Sequence, residues 1–397
     1  MRISTAGLHT AALNSINDRN ASLLRTQTQI ASGKRIQTPA DDPSGAVRAL
    51  ELDRTLAESK QFGRNASVAE SRLTLEEQTL ADAGNLLQQI RGLAVQANSG
   101  TLNQTAREPI VTELKVRLQE LTDLANRRDA SGEYLFSGYS TQTRPFTQSA
   151  GGVVYAGDQG VRALQTSPTQ RVADSHSGIE VFMNIVEGNG TFVTAAGMAN
   201  TGSGVIDGGT VTNPAVWDPD TYTVSFTSPT AWEVRDSSNA VVTTGAYTLG
   251  GSINFSGVQV NISGQPATGD TFTVAPSATQ DMFATVSNLI DTLAGSTITG
   301  AEKAQFSTGV GKALTQLDQA LDHVSGVRAE VGARLSMLEE TQTNREDREL
   351  ELEKSVSQLR DLDYAEAITR LNLQQLGLEA AQSSYARLAQ LSLFDYL

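Results

Sequence analysis

The stretch that decides the fold runs from Ala69 to Ala97 and reads AESRLTLEEQTLADAGNLLQQIRGLAVQA. Its apolar residues recur at alternating steps of four and three, and Glu76 is the single polar member of the series. The series is Ala69, Leu73, Glu76, Leu80, Ala83, Leu87, Ile90, Ala94 and Ala97. A heptad repeat of this length predicts a long helix that packs one face against other helices.

A second seam with the same spacing lies near the other end of the chain. Its members are Val310, Leu314, Leu317, Leu321, Val324, Arg328, Val331, Leu335 and Leu338. Apolar seams cannot stay exposed to water, so we expect helices far apart in sequence to share one coiled-coil-like bundle. The alternative is a solitary amphipathic helix lying on a globular core.

Two capping-box sequences predict where helices begin. They are Thr105-x-x-Glu108, with Glu108 before Pro109 as an alternative cap, and Thr299-x-x-Glu302. The charged run from Glu339 to Lys354 has no apolar seam and predicts a solvated helix face, or else a surface that meets neighbouring subunits.

The middle of the chain, from about Thr141 to Ser277, has a different composition. Gly, Thr, Ser and Asn surround short runs of period two, which predict antiparallel strands. The runs are Tyr222, Val224, Phe226; Trp232, Val234; Val258, Val260, Ile262; and Phe272, Val274. Trp217 and Trp232 favour a small separate core, and seven glycines between Gly188 and Gly209 predict a flexible approach to it.

These patterns predict an α+β fold, in which a long helical coiled-coil-like bundle built from both chain ends carries an inserted antiparallel β domain. Five segments are expected. They are a terminal-helix segment with its connector (1–43), a helical stalk with a β-hairpin region (44–189), the β domain (190–277), the returning part of the stalk (278–357) and a C-terminal terminal-helix segment (358–397).

Composition excludes several classes of function. With 30 Lys and Arg against 44 Asp and Glu, the formal net charge of −14 has the wrong sign for a phosphate-binding surface, so nucleic acid is not an expected partner. The absence of cysteine excludes disulfides, thiolate nucleophiles and zinc–thiolate sites. The first residues lack the apolar run of a cleavable signal peptide, and no stretch approaches the length of a membrane span, so we expect no membrane insertion.

No pattern in the sequence predicts catalysis. Residues 309–313 share part of a phosphate-loop pattern, but Phe306 and Ala313 stand where glycine and Ser or Thr are required. The sequence Asp218-Pro219-Asp220 lacks the glycine and the glutamate of a calcium loop and predicts a turn. The histidines are scattered and form no metal-binding motif: His9, His176 and His323. We therefore expect no enzyme, no cofactor and no metal.

The two chain ends carry further seams that polar residues interrupt. Such residues lower stability but fix register and partner number, so we predict an assembly interface whose helices fold on assembly. Residues 1–40 hold five basic side chains against one acidic, and residues 358–397 hold three against five, which favours the two ends meeting. The predicted interface consists of Leu13, Ile16, Asn20, Leu23, Gln27 and Ile30, with Ile368, Leu371, Gln375, Leu378, Gln382, Tyr385 and Leu388.

A connector follows the first terminal helix and reads ASGKRIQTPADDPSGA over residues 31–46. Gly33 can end one helix, Pro39 cannot continue it, and Asp42-Pro43 can start the next as N-cap and first residue. Lys34 and Arg35 form its basic half, and Asp41 and Asp42 its acidic half.

The connector, the pair Arg64-Asn65 and the run LQQIRGLAVQAN at residues 87–98 resemble the bacterial flagellin superfamily. Gly332-Ala333-Arg334-Leu335 and the last amphipathic segment resemble its C-terminal part. Three further stretches are more similar to junction subunits than to filament flagellin: SGEYLFSG at 131–138 followed by Pro145-Phe146, GDTFTV at 269–274, and LSLFDYL at 391–397.

This resemblance implies a structural adaptor that joins the flagellar hook to the filament after type III export. Implied partners are copies of the same chain, another hook-associated protein on the hook side, flagellin on the filament side, and a cytosolic export chaperone at the C-terminal helix. The alternatives are a filament flagellin, and an adhesin that binds a surface or glycan through Trp217, Trp232 and Tyr222.

Overall fold

The computed structural model describes residues 5–99, 102–149 and 151–390. Its helices are α1 (Thr5–Ser32), α2 (Pro43–Ala97), α3 (Gln104–Ala125), α4 (Met282–Ala294), α5 (Gly300–Arg360) and α6 (Tyr364–Gln390), with a π-helical turn at Ile179–Met183. The chain divides into two compact units. The terminal unit comprises the residues up to Arg64 and from Glu340 onward, and the central unit comprises Asn65–Glu339.

Short strands fill the chain between α3 and α4. They are β1 (Phe146–Ser149), β2 (Gly152–Tyr155), β3 (Ala163–Gln165), β4 (Arg171–Ala173), β5 (Ile185–Val186), β6 (Phe192–Ala196), β7 (Val205–Ile206), β8 (Thr210–Val211), β9 (Tyr222–Ser228), β10 (Ala231–Arg235), β11 (Val241–Ala246), β12 (Ser252–Phe255), β13 (Val258–Ser263), β14 (Thr271–Pro276) and β15 (Thr279–Gln280). The predicted α+β fold with an inserted antiparallel β domain is confirmed.

In the central unit, the predicted seams of α2 and α5 pack into one core. All nine seam residues from Ala69 to Ala97 are buried, and the apolar seam residues of α5 are buried or partly buried. The helices run antiparallel, because Arg91 lies 2.6 Å from Asp318 and Glu77 lies 2.6 Å from Arg328. Arg328, the polar member of the α5 seam, thus faces a carboxylate at the edge of the core.

One of the two predicted capping boxes is wrong. Helix α3 begins at Gln104, and its N-cap is Asn103, whose side chain accepts a hydrogen bond from the amide of Ala106 at 2.9 Å. Asparagine caps as well as threonine, and here it lies two residues earlier, so Thr105 and Glu108 fall inside the helix. The other box is confirmed, since Glu302 N–H donates to Thr299 Oγ1 at 3.2 Å and Thr299 N–H donates to Glu302 Oε2 at 2.9 Å.

The β domain has its own core between two antiparallel sheets. The larger sheet has the order β11-β10-β9-β14-β6, and the smaller one consists of β12-β13-β7, with β8 also paired to β13. The predicted period of two is observed in β9, where Tyr222, Val224 and Phe226 are buried and the residues between them are not. Trp217 and Trp232 are partly buried against this core.

The approach to the β domain makes hydrogen bonds with α5, and its flexibility stays a prediction. Gln316 is buried and accepts a hydrogen bond from the amide of Gly188 at 3.1 Å. Gly188 has φ +60, and a Cβ there would lie 2.1 Å from the carbonyl oxygen of Phe192. The glycine therefore serves a fixed turn that a side chain would disrupt.

Arg107 on α3 is buried without a carboxylate partner among the described residues. Its guanidinium donates to the carbonyl oxygens of Leu293 at 3.2 Å and Gly295 at 3.0 Å, and it lies 4.3 Å from the ring centroid of Phe306. Burial lowers the pKa of Arg107 from its ordinary value. Because carbonyls at a helix end have no intrahelical donor, Arg107 caps the C-terminus of α4 from a neighbouring helix.

Replacing this cap tests its energetic role. Arg107→Met keeps much of the apolar side chain but leaves buried carbonyls unpaired, so we expect a loss of about 2–4 kcal/mol in the free energy of unfolding. The matched control is Arg117→Met on the same helix, because Arg117 is partly exposed and pairs with Glu113 and Glu120. That variant is expected to lose less than about 1 kcal/mol. Urea denaturation of both proteins checks this, and equal losses would contradict it.

Candidate assembly interface on the terminal helices

In the terminal unit, α1 and α6 pack against each other in antiparallel fashion. The His9 and Tyr385 rings meet edge to face with centroids 5.7 Å apart. Further along, a Cβ on Gly377 would lie 2.6 Å from the guanidinium of Arg19. The two chain ends therefore meet, as their opposite charges predict.

The connector ties the facing ends of these two helices together. Gly33 has φ +67 and follows the last residue of α1, as a glycine at a helix C-terminus commonly does. Its carbonyl accepts a hydrogen bond from Leu362 N–H at 3.0 Å, and Arg35 N–H donates to the carbonyl of Arg360 at 2.7 Å. Lys34 and Asp361 form the isolated bridge between these bonds. Two segments more than 300 residues apart in sequence are thus joined as a short strand pair.

The acidic half of the connector starts α2 as predicted. Asp42 Oδ1 accepts hydrogen bonds from Gly45 N–H and Ser44 Oγ, both at 2.9 Å, and Pro43 is the first helical residue. The Gly45 N–H, the Ser44 hydroxyl and the charge of Arg35 at 3.5 Å hold the pKa of Asp42 below its ordinary value.

Asp41 closes the preceding turn and also has a lowered pKa, chiefly because it accepts a hydrogen bond from Thr38 N–H at 2.8 Å. Pro39 lies inside this turn, since Asp41 N–H donates to the carbonyl of Thr38 at 3.0 Å.

The structure brings together part of the predicted interface. Partly buried members are Ile16, Asn20, Leu23, Ile30, Leu371, Leu378 and Tyr385, whereas exposed members are Leu13, Gln27, Ile368, Gln375 and Gln382. The side chain of Leu388 lies outside the described residues. Thr26, Gln29 and Ala367 are buried although the predicted seams omit them. The buried face of the two helices therefore matches the predicted seams only in part.

Large apolar side chains remain exposed on the α1–α6 pair. The exposed set is Leu13 (45%), Leu24 (61%), Ile368 (49%), Leu373 (65%) and Leu376 (64%), which we call the terminal leucine set. Exposed apolar side chains grouped on one helical pair are typical of surfaces that bind other proteins.

Most of the charged run of α5 is exposed, as a solvated helix face would be, but two of its carboxylates also contact α2. Glu349 accepts a hydrogen bond from the Ser59 hydroxyl at 2.7 Å, and Glu353 lies 3.0 Å from Lys60. The guanidinium of Arg345 lies against Gly63, where a Cβ would approach it to 1.7 Å. Glu349 and Glu353 thus contact side chains of α2, which spacing along α5 alone does not indicate.

Comparison with known proteins identifies the family. The families described as bacterial flagellin N-terminal helical region and bacterial flagellin C-terminal helical region match residues 3–141 and 314–397. The crystal structure of Xanthomonas campestris FlgL is 36% identical, covers 77% of this chain and 99% of its own, and superposes with a TM-score of 0.73. This chain belongs to the FlgL family of flagellar junction proteins.

The relatives include hook-associated proteins and filament flagellins, one of which, from Clostridium tyrobutyricum, is 24% identical over 94% of this chain. Flagellar hook-associated protein 3 of Salmonella typhimurium is 25% identical over 395 residues, which covers 100% of this chain and 99% of that protein. A flagellin of Escherichia coli is 31% identical over 130 residues, and the match covers 33% of this chain and 24% of the flagellin. The hook-associated protein thus matches along the whole chain.

The β domain also has a flagellar relative. Residues 196–276 match the family described as flagellar hook-associated protein 1, D2-like domain. The junction-like motif SGEYLFSG lies in the central unit, with Leu135 and Phe136 fully buried. The motif at 391–397 lies outside the described residues.

A substitution at Gly33 tests how strongly the connector depends on its backbone. Gly33→Ala places a side chain at φ +67 and a Cβ 2.9 Å from Tyr364 Oη, so we expect the strand pair to lose about 1–2 kcal/mol. Hydrogen exchange at the amides of Arg35 and Leu362 should become faster. In Gly33→Ala combined with Tyr364→Phe, the loss should shrink but persist, because the backbone strain remains. Unchanged exchange in Gly33→Ala would contradict the analysis.

Proposed function

We propose that this chain is a structural adaptor subunit of the bacterial flagellum, which joins the hook, through another hook-associated protein, to the flagellin filament. The observation that carries the proposal is the terminal leucine set, which lies on paired terminal helices in a chain of the FlgL family. In a monomer these exposed apolar side chains contribute no stability, whereas an assembling subunit can bury them against neighbours.

The proposed partners are copies of the same chain, a hook-associated protein on one side and flagellin on the other. Export through the flagellar type III apparatus, with a cytosolic chaperone at α6, would place the protein in the extracellular flagellum. The five-segment division made from the sequence, with terminal segments 1–43 and 358–397, remains part of this proposal.

The proposed role is structural and not catalytic, which fits a family of flagellar junction proteins. The described residues contain no group of three or more His, Cys, Asp or Glu side chains placed to hold a metal ion. None of the helices in the described ranges is both long enough and apolar enough to cross a membrane. In the β domain, the ring centroid of Trp217 lies 5.7 Å from that of Phe192 and 5.9 Å from that of Tyr222. The Trp217 ring therefore packs against the core, which does not favour a glycan-binding role.

Deletion of this chain separates an adaptor from a filament subunit. Cells that lack it should still export flagellin but should release it into the medium without polymerising it on the hook. Flagellin in the culture supernatant and electron microscopy of the cells measure this. Filaments retained on the deletion strain would reject the adaptor role, and loss of flagellin itself would favour a filament flagellin.

Polar substitutions in the terminal leucine set test the interface directly. Leu13→Ser with Ile368→Ser should change the stability of the monomer by less than about 1 kcal/mol, because both side chains are already exposed. The same variant should release flagellin as the deletion does. Ile298→Ser is the control, since Ile298 is 84% exposed but lies in the central unit. Normal filaments with the double variant would contradict the interface.

A further inference from the structure

The central unit contains a buried group of charged side chains that the assembly function does not use. The segment Asp174-Ser175-His176-Ser177 follows β4 and is buried along its whole length. On α2, Arg72 and Glu76 lie one helical turn apart and are also buried. Arg72 lies 3.3 Å from Asp174, and Glu76 lies 2.7 Å from the imidazole of His176. The segment and the helix are thus joined by two pairs of charged groups, Asp174 with Arg72 and His176 with Glu76.

The two ion pairs differ in whether their positive charge depends on pH. Arginine keeps its charge at any physiological pH, and Asp174 is further held by Arg162 at 2.7 Å. Histidine is charged only when protonated, and its pKa normally lies near neutrality. The pair of Glu76 with His176 is therefore the titratable half of this contact.

The geometry around His176 fits an imidazolium. Glu76 Oε1 accepts from both the backbone N–H of His176 at 3.1 Å and the ring Nδ1 at 2.7 Å, so Nδ1 carries a proton. On the other side of the ring, Nε2 lies 3.4 Å from Glu330 Oε2 of α5. A second proton on the ring would point at this carboxylate. Within the described part of the chain, Glu76 Oε2 is buried and has no hydrogen-bond donor, which increases the need for a nearby positive charge.

We propose that His176 is a proton-dependent clasp, in which its imidazolium ties the Asp174–Ser177 segment to Glu76 of α2 and reaches Glu330 of α5, and that loss of the proton in alkaline solution loosens this contact. The charged groups that face the ring are Glu76 from α2, Glu330 and Arg334 from α5, and Glu180 from the π-helical turn. Three of these four groups are carboxylates and favour the imidazolium.

The direction of the pH effect follows from these neighbours. Burial lowers the pKa of His176, but Glu76, through its hydrogen bond and charge, and Glu180 outweigh burial and Arg334, so the net pKa is raised above its ordinary value. A group whose pKa is higher in the folded than in the unfolded state stabilises the fold below the unfolded value of about 6.5. This contribution is lost as the pH rises through the folded pKa.

Urea denaturation at two pH values tests the clasp in the full-length chain. Between about pH 6 and about pH 9, where histidine loses its proton, the denaturation midpoint of the wild type should fall. His176→Gln should lose most of this fall. His323→Gln is the matched control, because His323 contacts only the carbonyl of Glu180 among its described partners, at 2.7 Å. This control should keep the wild-type pH dependence.

A second measurement does not depend on the folding of a core variant. The chain has 3 histidines, so NMR titration of the wild type should show three imidazole signals. The signal of His176 should titrate above the ordinary histidine value of about 6.5, and the exposed substitution Glu330→Gln should shift its midpoint downward. A His176 midpoint below about 6.5, or a wild-type fall in the denaturation midpoint that persists in a folded His176→Gln variant, would overturn the proposal.

Discussion

The antiparallel packing of the α2 seam on the α5 seam is the contact on which the central unit depends. Residues near Leu80 and Val324 can be buried only if the chain between them leaves the bundle and returns to it. This requirement places α3 and α4 beside the seam and the β domain between β5 and β15. Removing apolar surface from water at about 25 cal/mol per Å² makes such a continuous seam the main source of stability.

The features that could be predicted from the sequence are those set by local chemistry or by period. The seams, the alternation in β9 and the start of α2 at Asp42-Pro43 are of this kind, because each depends on residues within a few turns of one another. The N-cap of α3 could not be assigned in this way, since Asn103 and Thr105 compete within one turn. The partner of Glu76 lies 100 residues away, and its position in a dry seam indicates only that some partner is required.

The terminal helices show a different limit. Their spacing predicts a seam, but neighbouring heptad positions are equivalent by period, and the structure buries Thr26 and Gln29 while Leu13 and Leu24 stay exposed. Sequence spacing cannot divide such residues between a partner in the same chain and a partner in another subunit. In an assembling protein both faces of a helix carry apolar residues, so a single periodic pattern mixes two interfaces.

The polar contacts between α2 and α5 in the terminal unit explain how one periodic pattern can contain the residues of two interfaces. The pair of Lys60 with Glu353 and that of Asp53 with Arg360 are exposed or half-exposed, and pairs of this kind stabilise by less than about 1 kcal/mol each. They select one register without supplying much cohesion, whereas the seam of the central unit supplies cohesion mainly by burying apolar side chains. Under the proposed function, the chain can therefore keep a stable central core while its terminal helices gain further stability when other subunits bury the terminal leucine set.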